Sequence, residues 1–229
     1  MSETKRILLV LTSHDDLGGV RPTGYYVGEA AHPWKVFTDA GYQVEVASID
    51  GGVPPEDGRD ESDPVQQEFV ADPSIAAQLH ATPKLADVDP GRYDAVLFVG
   101  GHGAMWDFPS SPAVDQVGRA IWDRGGVVSA VCHGPAALVN VTLDDGTPLI
   151  AGKHVTGFTN GEETAVGLTK AVPFLLADAL AAKGATYEPA ANWSDHVVVD
   201  GRLVTGQNPQ SAASVGRAVV EALSVVTPQ

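Results

Sequence analysis

The chain has 229 residues, 44% of them hydrophobic, enough to bury one sizeable core without disulfide staples and too apolar for a disordered chain. Its 14 basic and 29 acidic residues give a net charge of −15, a surface that repels phosphate backbones and anionic lipid and so argues against nucleic-acid and membrane partners. One cysteine, Cys132, excludes an internal disulfide and a cysteine-rich zinc knuckle.

Taken along the chain, the pattern alternates short apolar runs with helix-compatible stretches. Arg6–Leu11 is the first strand expected; it is too short, and lacks the small-residue cleavage site, to be a signal peptide, which predicts a cytoplasmic protein. No apolar run approaches the ~18 residues of a membrane span. Further strands are expected at Gln43–Ser48, Ala95–Val99, Val127–Val131, His154–Thr156, His196–Val199 and Leu203–Thr205. Several are apolar without alternation, as in strands covered on both faces. Helices are expected at Gly28–Ala40, Ser74–Ala81, Ala113–Arg124, Pro135–Asn140, Thr169–Lys183 and Ser211–Leu223, with Gly41, Gly125 and Gly184 at the capping position after three of them. This rhythm predicts an α/β fold: one doubly wound, flavodoxin-like, mostly parallel sheet with helices on both faces, spanning residues 1–229 as a single domain with ligands at the carboxyl ends of its strands. The stretch Asp50–Asp72, rich in charge, glycine and proline, reads as a surface excursion: a solvated insertion, a flap over the site, or a dimer contact.

The most informative segment is Gly125-Gly126-Val127-Val128-Ser129-Ala130-Val131-Cys132-His133-Gly134-Pro135. A buried strand ends abruptly at Cys132, and Gly134 and Pro135 open a helix. Such a strand–nucleophile–helix elbow projects its central side chain. A lone cysteine is more often an inert core thiol, but the elbow points to a nucleophile. The helix start is expected to favour thiolate and to aim free N–H groups at a developing oxyanion. His133 stands beside the sulfur as a proton acceptor. A second loop, Gly100-Gly101-His102-Gly103, follows another buried strand and is expected to line the same edge. There His102 is either a hydrogen-bonded wall or a group that polarises a substrate oxygen. Glu29 reads as a first-turn helix acid or as a member of the site. Tyr26 and Trp34 read as packing, and Trp106 and Trp193 as core or rim aromatics. Asn208 is expected to cap the last helix, and no local His or Asp spacing suggests a metal.

These segments carry a resemblance. Gly24–Glu29 with His32-Pro33-Trp34, Phe98–Gly103, Ala130–Pro135, Val155–Glu163 and Asp200–Pro209 together resemble the PfpI/DJ-1 superfamily, whose fold is that of the class I glutamine amidotransferases, and within it the heat-shock chaperone-like, cofactor-independent glyoxalases (glyoxalase III). The resemblance implies Cys132 as nucleophile, His133 as its neighbouring base, and Glu29 as a protonated carboxyl on the sulfur. It implies Glu163 as the acid orienting the histidine, with a slip to Glu162 left open. It also implies Gly101 and His133 as backbone oxyanion donors, with His102 in the substrate-binding wall, and a homodimer. The expected activity is conversion of methylglyoxal, a small 2-oxoaldehyde, and water to lactate without cofactor or metal. A cysteine hydrolase of amidase, peptidase or deglycase type, and a stress chaperone or redox sensor, are the alternatives.

Overall fold

In the computed structural model, which describes residues 4–225, the chain opens with β1 (Arg6–Leu11), β2 (Tyr25–Tyr26), α1 (Val27–Asp39) and β3 (Gln43–Ser48). It continues through β4 (Glu56–Asp57), α2 (Pro64–Ala71), α3 (Pro73–His80), β5 (Ala95–Phe98), α4 (Ala104–Asp107), α5 (Pro112–Asp123) and β6 (Val127–Val131). The last third holds β7 (His154–Val155), α6 (Asn160–Ala165), α7 (Leu176–Ala182), β8 (Thr186–Tyr187), β9 (Val197–Asp200), β10 (Leu203–Gly206) and α8 (Ala212–Val225).

Six strands form the central sheet in the order β3-β1-β5-β6-β10-β9, all parallel except the edge pair β10–β9. From β1 the chain steps outward to β3 and later, from β5, in the other direction to β6. With right-handed crossovers that puts α1 and α5 on opposite faces, and α8 packs beside α1. The inner strands need no polar face: every residue of β5, β6 and β10 is buried, as are Ile7–Leu11 of β1. Gly41, Gly125 and Gly184 all take positive φ just past helices, as expected. Among the described residues no helix is long and apolar enough to cross a membrane.

Four expectations are corrected. His154–Thr156 does not join the central sheet: its first two residues pair with Thr186–Tyr187 in a separate parallel ribbon. The helix expected over Thr169–Lys183 begins only at Leu176, because Pro173 pushes its predecessor toward extended backbone and breaks the first half into turns. Pro135–Asn140 is not an α-helix but a 3-10 stretch, Gly134–Val139. Asp50–Asp72 is not loop throughout. It holds α2, whose N-cap Asp63 accepts from Val65 N at 2.9 Å with Pro64 at the first position, and Phe69 of α2 meets Trp34 of α1 edge-on. Its β4 pairs with β2, and Gly58 rests against the Tyr26 ring so closely that a Cβ there would overlap it. The excursion is packed onto the start of α1, the element that carries Glu29.

Candidate active site

Adjacent parallel strands β5 and β6 end side by side, and the two segments singled out in the sequence leave from those ends. Cys132 adopts φ +59°, a left-handed conformation that costs a non-glycine residue strain and must be enforced by its surroundings. The enforcement is visible on both sides: Cys132 N donates to Gly206 O at 2.9 Å, and Phe158 N donates to Cys132 O at 2.8 Å. The thiol is thereby aimed out of the strand end while the residue stays buried.

The sulfur lies 3.4 Å from His133 Nδ1. On the far side of the ring, His133 Nε2 meets Glu163 Oε2 at 2.8 Å, and the other oxygen, Oε1, meets His102 Nε2 at 2.9 Å. A carboxylate only accepts, so both imidazoles turn an Nε2–H to it. That fixes the His133 tautomer, with Nδ1 as a free acceptor facing the sulfur. Burial and the neighbouring His102 hold His133 down at about 4, so its ring is neutral near pH 7. Burial pushes the Glu163 carboxyl up, but the two imidazole hydrogen bonds outweigh it and hold it down at about 2. The trio stacks closely: the His102 and His133 ring centroids are 4.0 Å apart, and Phe158 lies 4.4 Å from His133.

Glu29 approaches from α1, fully buried, its carboxyl beside Cys132 and the Gly100 backbone. Neither of its oxygens has a hydrogen bond of ordinary geometry. Burial therefore dominates and raises its pKa well above the usual range, despite the opposing pull of Cys132 and the Gly100 N–H. Gly100 has to be glycine, since a Cβ there would overlap the Glu29 carboxyl. Gly101, at φ +107°, lies so close to the Gly24–Tyr26 backbone that a Cβ would run into it, and Tyr26 N donates to Gly100 O at 3.0 Å. Among the described residues, the Gly101 and His133 N–H groups donate to no backbone oxygen.

The expected thiolate is a correction. Burial raises Cys132 well above the ordinary thiol range, and the short 3-10 stretch after it supplies no full helix dipole to offset this. The resting sulfur is a thiol between a neutral imidazole and a protonated carboxyl.

A model of the DJ-1/PfpI family matches residues 23–222. The chain belongs to that family. It is 40% identical to Glyoxalase 3 of Candida albicans, over 95% of this chain and 98% of the relative, and 36% identical to the glutathione-independent glyoxalase HSP31 of Saccharomyces cerevisiae, over 96% and 98%. Among solved structures it superposes on the Rapid Encystment Protein 24 kDa of Francisella tularensis with TM-score 0.93 at 39% identity, covering 96% of this chain and 99% of that one. It superposes on glyoxalase III of Candida albicans with TM-score 0.87 at 35% identity, covering 95% and 97%.

In this DJ-1/PfpI chain the six residues singled out, Glu29, Gly101, His102, Cys132, His133 and Glu163, lie at one sheet edge. Glu162 is turned away. Its carboxylate closes the capping box with Thr159 and accepts from Trp193 N, Gln207 and Asn208. Asn208 does cap, accepting from Ser211 N at the 3-10 turn that leads into α8. The donor atoms of His102, His133 and Glu163 fall within 4.8 Å of one another, a set able to hold a metal ion that no local spacing in the sequence announces. Tyr26 also belongs to the surroundings of the site: burial, then Glu29 and Cys132, raise its hydroxyl above the ordinary value.

Proposed function

We propose that this protein converts 2-oxoaldehydes such as methylglyoxal, with water, to the 2-hydroxy acid, using Cys132 and no glutathione. The supporting observation is the sulfur's position 3.4 Å from an imidazole nitrogen that is free to accept, with a protonated carboxyl on its other side. The relatives' names, glyoxalases working without glutathione, point the same way.

As Cys132 Sγ bonds to the aldehyde carbon, His133 Nδ1 takes the thiol proton. The imidazolium that forms is stabilised by ionised Glu163 behind it. The carbonyl oxygen, turning to oxyanion, meets the backbone N–H groups of Gly101 and His133. In the hemithioacetal the first carbon loses its proton to a base, giving an enediol. A proton returned to the second carbon leaves a 2-hydroxyacyl thioester, an internal redox exchange that needs no outside oxidant or reductant. Glu29 and His133 are the two groups placed to move these protons. Water then cleaves the thioester, releasing the acid and restoring the thiol. His102 holds the second oxygen of Glu163 and walls the pocket. A working thiol fits a reducing compartment, the cytoplasm, and the functional unit we propose is a homodimer, which sedimentation at two chain masses would bear out.

The test is lactate formation from methylglyoxal with no added thiol, beside Cys132→Ala. Lactate from the wild type and none from the variant is expected. Turnover retained in Cys132→Ala removes the covalent route, and amide or peptide cleavage in place of lactate would turn the same elbow into a hydrolase.

A further inference from the structure

Two non-glycine residues among those described hold a left-handed backbone: Cys132 and, at φ +64°, Trp193. A bulky side chain is strained there, and such conformations persist only where neighbours enforce them. At Trp193 the enforcing group is Glu162. Its fully buried carboxylate accepts the Trp193 N–H at 2.8 Å through Oε1, the oxygen that also accepts Asn208 Nδ2 at 2.9 Å and Gln207 Nε2 at 3.1 Å. Core packing does not explain the strain, because Trp193 stays 40% exposed. Its indole stands edge-on to Phe158, centroids 5.7 Å apart, and Phe158 in turn lies 4.4 Å from the His133 ring. A row of rings thus leads from the imidazole beside the sulfur to the surface. One turn of α6 presents Glu163 to that imidazole and Glu162 to the outer end of the row.

We infer that Trp193 is the outer wall of the substrate site and limits the size of the group carried on the ketone carbon of the 2-oxoaldehyde. Glu162 is a positioning residue that acts through it. The substrate class rests on the glyoxalase reading; the wall is tested without turnover. Cys132 is the only thiol, so its alkylation reports access with no background. Rates with small iodoacetamide and bulky N-phenylmaleimide are compared in wild type, Trp193→Gly and Trp193→Phe. Glycine takes the left-handed backbone freely, so the loop is retained while the ring is lost. The phenylmaleimide-to-iodoacetamide ratio should rise about tenfold in Trp193→Gly and less in Trp193→Phe, with kcat/KM for phenylglyoxal over methylglyoxal rising in parallel. An unchanged alkylation ratio in folded Trp193→Gly, or in Trp193→Phe should the glycine variant not fold, overturns the wall. A raised ratio in Trp193→Gly, together with no lactate formed by the wild type, keeps the wall and discards the substrate class.

Discussion

On one side of the Cys132 sulfur stands Glu29; on the other stands His133 with Glu163 behind it. Both carboxyl groups are buried, yet they hold opposite charge states. Glu163 receives an N–H from each of two imidazoles, which more than offsets its desolvation. Glu29 receives none of ordinary geometry and keeps its proton. Burial alone does not set protonation; the donors turned toward the group do. The result is a protonated carboxyl and a neutral imidazole facing one sulfur, with the charge state of each of the two glutamates set by environment and not by residue type.

Substitutions that remove one side at a time break this comparison. Cys132→Ala, which removes the atom both sides serve, should bring lactate formation to background. Glu29→Gln keeps the shape but cannot shuttle a proton, and kcat should fall by about 100–10,000-fold. Its stability should hold or rise, because a group kept protonated in the fold loses stability as pH rises past its unfolded pKa, and Gln removes that loss. Melting temperature from neutral to alkaline pH checks the sign.

The base side predicts the opposite limb. The fold resists protonation of His133 down to about 4, while the unfolded chain takes a proton below 6.5. Stability worth about 3 kcal/mol should therefore drain away between those values. Glu163, held at about 2, adds a further loss as pH falls below 4.5. Protonated Glu29 gains stability over the same range and opposes this loss, so the check is made in Glu29→Gln, where a melting temperature flat from pH 6.5 to 4 would contradict the neutral imidazole. Glu163→Gln turns an amide N–H2 toward one of the two imidazole N–H groups and should cost about 1–3 kcal/mol together with activity, measured by denaturant unfolding. The smallest effect belongs to the surface: Arg21→Ala, which loses a half-exposed ion pair with Asp57, should change stability by no more than about 1 kcal/mol.

The strands and the elbow were legible because each is a contiguous signal: unbroken apolar runs, and glycine and proline flanking Cys132. The helix start at Leu176 was missed although Pro173 marks it. The helix inside Asp50–Asp72 was missed although Asp63-Pro64 is an N-cap followed by a first-turn proline. The choice between Glu162 and Glu163 also had a local clue, the Thr159-x-x-Glu162 spacing of a capping box. Two features had none. The thiol state of Cys132 depends on burial by elements distant in the chain, among them the helix that carries Glu29, and the backbone of Trp193 depends on a carboxylate 31 residues before it. Contacts that distant leave no periodicity to read.

The protonation of Glu29 in the resting protein is the most direct test. Infrared difference spectra near neutral pH should show Glu29→Gln losing the C=O stretch of a protonated carboxyl, and Glu163→Gln losing carboxylate bands only. Loss of carboxylate bands from Glu29→Gln instead would place a charge beside the sulfur and contradict the acid–base pairing around it.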